Sequence, residues 1–160
     1  MQLAYEQAAH GASLGEIPVG AVIISDGVVI GTGYNQPILS HDPTAHAEIV
    51  ALRQACQSLE NYRLPLDSTL YVTLEPCTMC VGALIHARIN RVVFGTVEPK
   101  AGSLVSARQL LNDQGYYNHL FKFESGCMHT ECSIQLSEFF KLRREQKKQQ
   151  RLLQKNQTNQ

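Results

Sequence analysis

Two cysteines separated by two residues, Cys77 and Cys80, are the first residues of this sequence that could do chemistry. They lie in the segment TLEPCTMCVGALIH at residues 73–86. Such a pair occurs in thiol redox enzymes, in structural zinc sites and in catalytic zinc sites with one open coordination position. Pro76 favours the start of a helix, whose N-terminus would stabilise a thiolate. The pair alone leaves redox chemistry, structural metal, catalytic metal and coincidence open.

The other three cysteines do not complete a metal site by themselves. Cys127 and Cys132 are too far apart for a second tight zinc knuckle and are predicted to be buried or incidental. Cys56 falls on the apolar face of a predicted helix, where it would fill the core. Five cysteines are an odd number in a chain of 160 residues. This count argues against a disulfide framework and predicts a reducing, cytoplasmic setting.

A better partner for the cysteine pair lies upstream, in the segment PTAHAEIVAL at residues 43–52. His46 alone would usually be a structural residue and Glu48 a solvated charge. If two helix N-termini converge at one sheet edge, His46 would join Cys77 and Cys80, leaving a fourth position for water. On a straight helix His46 and Glu48 would diverge by about 200°. One site can therefore use both only if it lies over the end of the helix.

The two segments together match the H-x-E…P-C-x-x-C signature of zinc deaminases that act on nucleobases. Here the signature is HAE at residues 46–48 and PCTMC at residues 76–80. In such a site Glu48 is not a ligand, so it can move a proton from water to the base and help ammonia leave. The pattern predicts one Zn²⁺ per subunit, with Glu48 as the catalytic residue and with His46, Cys77 and Cys80 as ligands.

The hydrophobic pattern predicts one α/β domain that positions these segments. Asp26-Gly27 is a hairpin signal between two strands, and Asp42 with Pro43 is the predicted start of the helix that carries His46. We expect a three-layer α/β/α fold, with a mixed five-stranded sheet and helices on both faces. The predicted strands are 18–24, 28–35, 68–75, 91–96 and 120–125. The predicted helical segments are 1–14, 41–59, one from Pro76, 103–113, and one from about 130.

The charge distribution singles out the C-terminal segment. Formal net charge is zero, but residues 141–155 hold seven Lys and Arg and a single acid, Glu145. A local basic arm of this kind is typical of a nucleic-acid footprint. We therefore expect a deaminase domain over residues 1–145 and a basic, Gln-rich, frayed tail over residues 146–160. No signal peptide and no apolar run of membrane-spanning length is recognised.

Beyond the signature, the chain resembles the bacterial tRNA-specific adenosine deaminases, a branch of the cytidine deaminase-like superfamily. The resemblance covers roughly residues 2–145. The segment after RVVFG departs from the family pattern at Val97 and Glu98, although an acid-x-Lys spacing is kept. The segments that carry the resemblance are EIPVGAVI, GYNQPI, HDPTAHAEIVALRQA, NYRL, TLYVTLEPCTMCVGALIHARI, RVVFG, GSL, NH and FFKLRR.

The resemblance implies a cytidine deaminase-like fold and the conversion of adenosine to inosine at the wobble position of a tRNA anticodon. It implies Zn²⁺, a homodimer, a tRNA anticodon stem-loop as partner and no membrane association. The residues implied to contact the substrate are Asn35, Ala47, Lys100, Asn118, His119, Arg143 and Arg144.

Two alternatives share part of the pattern. A deaminase of a free base or nucleoside, such as guanine, cytosine or cytidine, would use the same zinc residues. A zinc- or thiol-containing binding module would not need Glu48, so the Glu48→Ala substitution separates it from an enzyme. Inosine formation on an anticodon stem-loop, assayed beside free guanine and cytidine, separates the two enzymes.

Overall fold

A computed structural model describes residues 1–112 and 117–158 as one sheet covered by helices. The strands are β1 (Gly20–Ser25), β2 (Val28–Tyr34), β3 (Thr69–Leu74), β4 (Arg91–Thr96) and β5 (Lys122–Ser125). The helices are α1 (Gln2–Ser13), α2 (Pro37–Ser40), α3 (Ala47–Ser58), α4 (Thr78–His86) and α5 (His129–Thr158), with one 3-10 turn at Leu110–Asn112.

The sheet is mixed, as the sequence predicts, and its strand order is β2-β1-β3-β4-β5. β1 is antiparallel to β2 and β3, whereas β3, β4 and β5 run parallel. The predicted hairpin turn is present, with Asp26 and Gly27 both at positive φ. Because α4 connects the parallel strands β3 and β4, the carboxyl ends of both strands lie at the same edge of the sheet.

Helices cover both faces of the sheet, which confirms the three-layer prediction. α1 and α5 contact each other on one face, and α3 and α4 contact each other on the opposite face. Glycines in β1 and β2 allow α1 and α3 to pack closely against the sheet. A Cβ at Gly20 would lie 2.0 Å from the Ala4 carbonyl, and one at Gly33 would lie 2.4 Å from the Ala47 carbonyl. The second contact places the first residue of α3 directly against the end of β2.

Two helix starts differ from the predicted positions. α3 begins at Ala47 with His46 as its N-cap, because Asp42 instead closes a turn by accepting hydrogen bonds from the Thr44 amide and hydroxyl. α4 begins at Thr78 with Cys77 as its N-cap, one residue after the proline. Both shifts move a predicted metal ligand from the helix body to the residue that precedes the first turn.

The helix predicted over residues 103–113 is wrong for the described part of that range, and residue 113 lies outside the described residues. Only Leu110–Asn112 forms a 3-10 turn. The amides of Arg108 and Leu110 donate to the carbonyls of Gly102 and Ser103, whereas a helix would pair each with the carbonyl four residues earlier. The amides of residues 104–106 donate to a buried carboxylate. The short helix α2 was not predicted.

α5 continues to Thr158 without a break at residue 145, so the division into a domain and a tail stays a prediction. Its side chains from residue 141 to residue 155 are exposed. Within the described ranges, no helix combines the length and the apolar character needed to cross a bilayer.

Candidate metal centre

The N-termini of α3 and α4 meet at the edge of the sheet and bring three metal-binding atoms together. His46 and Cys77 are the N-caps of the two helices, and Cys80 lies in the first turn of α4. His46 Nδ1 lies 3.6 Å from each of the two Sγ atoms, which are 3.7 Å from each other. The three side chains contact one another, so all of them point towards the shared site. The predicted convergence is confirmed.

These separations fit a tetrahedral zinc ion. Zn–S bonds of about 2.3 Å and a Zn–N bond of about 2.0 Å at tetrahedral angles place the sulfurs about 3.8 Å apart and each sulfur about 3.5 Å from nitrogen. The observed triangle has nearly the same edges. One imidazole and two thiols also make up a donor set typical of a catalytic zinc that keeps one position for water.

The electrostatics of the triangle favour a bound cation. The hydrogen bond with Cys80, followed by one with His46, lowers the pKa of Cys77 to about 4. The same contact with Cys77, together with burial, raises the pKa of Cys80. The pKa of His46 is raised mainly by its hydrogen bond with Cys77. Two neighbouring thiols thus cannot both ionise easily without a metal to balance the charge.

Glu48 lies beside the three donors in the first turn of α3 and is 4% exposed. Burial is the main cause that raises the pKa of its carboxyl group. Its own backbone amide and the neighbouring Cys80 thiol lower that pKa by less than burial raises it. Because α3 starts only at Ala47, His46 and Glu48 both reach the region over the helix end. The geometric condition set by their spacing is therefore met.

Asn35, which follows the end of β2, binds the first residue of α3 through its side chain. Its Oδ1 accepts a hydrogen bond of 2.9 Å from the Ala47 amide, and the residue is 8% exposed. This bond satisfies the first amide of a helix whose own N-cap side chain is turned away. Ala47 is fully buried, and its amide hydrogen is used by Asn35.

A pocket of about 230 Å³ opens over Glu48 and the metal-binding triangle. Its walls are mostly apolar, with a few convergent polar groups, which is typical of a small-molecule site. α5 closes one side with Leu136 and Phe140, which sequence reasoning missed because both look like ordinary core residues of a helix. The pocket is lined by Ile17, Val19, Asn35, Pro37, His46, Glu48, Leu74, Glu75, Cys77, Glu98, Ala101, Leu136 and Phe140.

Three predicted RNA-contact residues lie on the side of the molecule that carries the pocket. Lys100 is exposed on the loop after β4, next to the pocket residues Glu98 and Ala101. Arg143 and Arg144 follow Phe140 on α5. Arg143 donates a hydrogen bond to the Gly15 carbonyl at 3.2 Å, so part of its donor capacity is used within the chain.

The other two predicted contacts, Asn118 and His119, lie at the opposite end of the sheet. They precede β5, whose first residue pairs with the first residue of β4. Arg88 donates to the Asn118 carbonyl at 2.8 Å, and the His119 ring lies 2.6 Å from the Ile89 carbonyl. The structure does not bring these two residues to the pocket of the same chain, and their contact with RNA stays a prediction.

A further acidic residue of the pocket, Glu75, was not singled out from the sequence. It is 3% exposed and accepts hydrogen bonds from the amides of Glu98, Leu104, Val105 and Ser106 and from the Ser106 hydroxyl. Burial acts to raise the pKa of Glu75, but these hydrogen bonds outweigh it and lower that pKa. An acid placed directly between a buried strand and Pro76 was the available signal.

The remaining cysteines lie outside the triangle, in agreement with the sequence analysis. Cys132 is buried, and a Cβ on Gly95 would lie 2.7 Å from its sulfur. Cys127 is exposed. Among the described residues, the metal-binding group is His46, Cys77 and Cys80.

Comparison with known proteins places this site in a family. The model of the family described as cytidine and deoxycytidylate deaminase zinc-binding region matches residues 1–96. The chain is 50% identical over 157 residues to the tRNA-specific adenosine deaminase of Haemophilus influenzae, which covers 98% of this chain and 90% of that protein.

Two solved structures are also similar. One, from a study of A-to-I editing by tRNA:A34 deaminases at the wobble position of transfer RNA, has a TM-score of 0.81 and 40% identity, covering 85% of this chain and 97% of that one. A guanine deaminase from Bacillus subtilis has a TM-score of 0.58 and 34% identity, covering 89% and 90%.

The predicted cofactor, Zn²⁺, agrees with both the donor triangle and the zinc-binding region of the family. The predicted fold agrees with that of the A34 deaminase structure. The chain therefore belongs to the cytidine and deoxycytidylate deaminase zinc-binding family and, within it, to the tRNA-specific adenosine deaminases.

Proposed function

We propose that this protein is a zinc-dependent hydrolase that converts adenosine to inosine at the wobble position of a tRNA anticodon. One observation carries the chemistry: three donors at tetrahedral spacing lie beside a buried carboxylate that is not one of them. The high similarity to tRNA-specific adenosine deaminases supports the choice of adenosine in tRNA as the substrate.

The proposed metal ligands are His46, Cys77 and Cys80. A zinc ion held by these three residues would supply a water of lowered pKa, towards about 7, as the nucleophile at neutral pH. Glu48 takes the proton from the water, delivers it to the ring nitrogen of the base and then assists the departure of ammonia. Burial suits this role, because a carboxyl whose pKa is raised holds a transferred proton more readily than an exposed carboxyl does.

Asn35 is proposed to position the target base. Its Oδ1 is engaged by the Ala47 amide, which leaves its amide nitrogen to donate towards the pocket that it lines. The apolar walls from Ile17, Leu74 and Phe140 would hold the faces of one flat ring. A single-stranded anticodon loop can present such a base outside its stack.

The tRNA is proposed to follow the cationic face of α5 away from the pocket. Phe140 belongs to the pocket wall, and Arg144 follows it one turn later. At 3.6 residues per turn the basic side chains beyond it fall on one face of the helix. All are exposed and can contact phosphates; they are Arg144, Lys147, Lys148, Arg151 and Lys155.

We also propose a cytoplasmic homodimer, as the family resemblance implies. Free thiols at Cys77 and Cys80, which metal binding requires, are maintained in a reducing compartment. A molar mass measured by light scattering at twice that of the chain would support the dimer, and the mass of a single chain would contradict it.

The specific alternative is a deaminase of free guanine, which the similarity to the Bacillus subtilis guanine deaminase structure favours. The zinc-loaded protein should be assayed with an anticodon stem-loop containing a wobble adenosine and, separately, with free guanine, cytosine and cytidine. We expect inosine in the stem-loop and no release of ammonia from the small substrates. Deamination of a free base with an untouched stem-loop would overturn the proposal.

The same assay on the Glu48→Ala variant addresses the non-enzymatic alternative. A deaminase variant should keep its zinc and lose turnover, whereas a binding module would keep its function. The zinc content of the wild type and the variant is measured by atomic emission. Equal contents show that a loss of activity is not caused by a loss of the metal.

A further inference from the structure

We propose that Glu75 is a positioning residue that fixes the loop of residues 97–106 against Cys77 and so sets the shape of the pocket wall. The proposal rests on the function proposed above, because the loop is assigned to the side of the pocket that receives substrate. Glu75 lies one residue beyond β3 and two residues before Cys77, so it belongs to the rigid end of the sheet.

The carboxylate binds the loop through both oxygens. Oε1 accepts hydrogen bonds from the amides of Leu104 at 3.0 Å, Val105 at 2.8 Å and Ser106 at 3.0 Å. Oε2 accepts from the Glu98 amide at 3.0 Å and from the Ser106 hydroxyl. Hydrogen bonds to an ionised acceptor are stronger than neutral ones, so this single side chain holds both ends of the loop.

The same loop contacts the residues that begin α4. Gly102 forms an antiparallel bridge with Cys77, and the Ser103 amide donates to the Pro76 carbonyl at 2.9 Å. The loop passes so close to the carboxylate that a Cβ on Gly102 would lie 2.2 Å from Glu75 Oε2. Glu75 therefore connects the loop, the N-cap of α4 and the sheet.

The loop in turn supplies part of the pocket. Glu98 and Ala101 line it, together with Glu75 itself. The Glu98 amide donates to Glu75, and Glu98 Oε1 accepts a hydrogen bond from the Lys100 amide at 2.9 Å, so this part of the wall is held both to Glu75 and within the loop. Loosening the carboxylate clamp would move this wall while His46, Cys80 and Glu48 stay in place on other elements. Cys77 would remain held as the N-cap of α4, whose Val81 amide donates to its carbonyl at 2.9 Å. The expected consequence is a loss of substrate positioning and not of zinc.

The test is the Glu75→Gln substitution in the zinc-loaded full chain. Each oxygen of Glu75 accepts a hydrogen bond from at least one loop amide, and the amide nitrogen of glutamine cannot accept one. Whichever way the glutamine side chain is turned, at least one loop N–H therefore loses its acceptor. We expect the amides of residues 104–106 to exchange hydrogen about tenfold faster or more. With the stem-loop, kcat/KM should fall about 10-fold or more, mainly through KM, at an unchanged zinc content.

Asp67→Asn is the matched control. Asp67 also clamps a loop, through the Ser25 hydroxyl at 2.7 Å and the Asp26 amide at 2.5 Å, but at the opposite end of β3. This variant should leave hydrogen exchange in residues 104–106 and kcat/KM unchanged. If Glu75→Gln does not fold, Ser106→Ala removes only the hydrogen bond from the Ser106 hydroxyl to Glu75 Oε2. This variant should raise the hydrogen-exchange rate of residues 104–106 and the KM as well, but to a smaller extent.

Unchanged exchange in residues 104–106, or a loss of activity that follows the loss of zinc, would overturn the role of Glu75. The exchange measurement needs no substrate. If the wild-type protein does not deaminate the stem-loop, the proposed function fails. Hydrogen exchange in residues 104–106 still decides whether Glu75 holds the loop.

Discussion

Two buried carboxylates line the same pocket in opposite surroundings. Glu48, in the first turn of α3, is 4% exposed, and burial raises its pKa. Glu75, at the end of β3, is 3% exposed, yet four backbone amides and one hydroxyl lower its pKa. At nearly equal solvent exposure the pKa values of the two carboxyls are therefore shifted in opposite directions.

The difference separates a group that can exchange protons from a group that holds structure. A carboxylate surrounded by donors is fixed as an anion, because protonation would break several hydrogen bonds at once. A carboxylate that is desolvated but poorly supplied with donors changes protonation state at low cost, which general acid–base catalysis requires. Distance from a metal-binding residue alone does not distinguish the two, since Glu48 follows His46 by two positions and Glu75 precedes Cys77 by two positions.

The largest expected effect is on turnover by Glu48→Gln, which keeps the shape but removes the exchangeable proton. We expect kcat on the stem-loop to fall about 10²- to 10⁴-fold. Zinc content should remain that of the wild type, because the ligands are untouched. Rapid single-turnover measurement with metal analysis checks both quantities, and a variant that keeps wild-type kcat would remove Glu48 from the mechanism.

Substitutions at Asn35 separate its hydrogen bond with the start of α3 from its proposed contact with the substrate base. Asn35→Asp keeps an acceptor for the Ala47 amide, whereas Asn35→Ala removes it. Both variants lose the amide donor, so we expect KM for the stem-loop to rise about 10-fold in each. Only Asn35→Ala should lower the free energy of unfolding, by about 1 kcal/mol, as loss of a helix cap does. A wild-type KM in Asn35→Asp would leave Asn35 as a cap only.

The same change, carboxylate to amide, should affect stability differently at the two acids. Glu75→Gln loses hydrogen bonds to a charged acceptor and should lower the free energy of unfolding by about 1–3 kcal/mol. Glu48→Gln removes a desolvated ionisable group and should leave stability equal or higher. Denaturant unfolding of both zinc-loaded variants at pH 7 measures the difference. A larger loss for Glu48→Gln would contradict the assignment of the two roles.

The smallest effect is expected outside the pocket, on the cationic face of α5. Lys147→Gln and Arg151→Gln should each raise KM a few-fold and reduce the slope of log K against log salt by about 1 per lost phosphate contact. Lys122→Gln, an exposed position on β5, makes the same charge change elsewhere and serves as control. An identical effect of all three substitutions would indicate net charge and not a local RNA footprint.

Much of the fold could be predicted because local signals agreed with it. Asp26-Gly27 specified the hairpin, and runs of buried residues specified β3 and β4. The helix predicted over residues 103–113 is absent from the described part of that range because the amides of Arg108 and Leu110 donate to the carbonyls of Gly102 and Ser103 and not to carbonyls four residues earlier. Glu75, distant in sequence, holds the preceding amides of residues 104–106 in this loop. The start of α3 was misplaced because Asp42 and Pro43 look like a cap and a first turn, while Asp42 binds Thr44 instead.

The sequence by itself determined the chemistry of the metal centre. Residue types and spacing at His46, Glu48, Cys77 and Cys80 specify a zinc site with a free carboxylate, because few other chemistries need that set. Only the tertiary structure decided which residues shape the pocket around it. The carboxylate of Glu75, the amide cap from Asn35 and the wall from Phe140 act through contacts between elements far apart in the chain, and such contacts leave no periodic trace in the sequence.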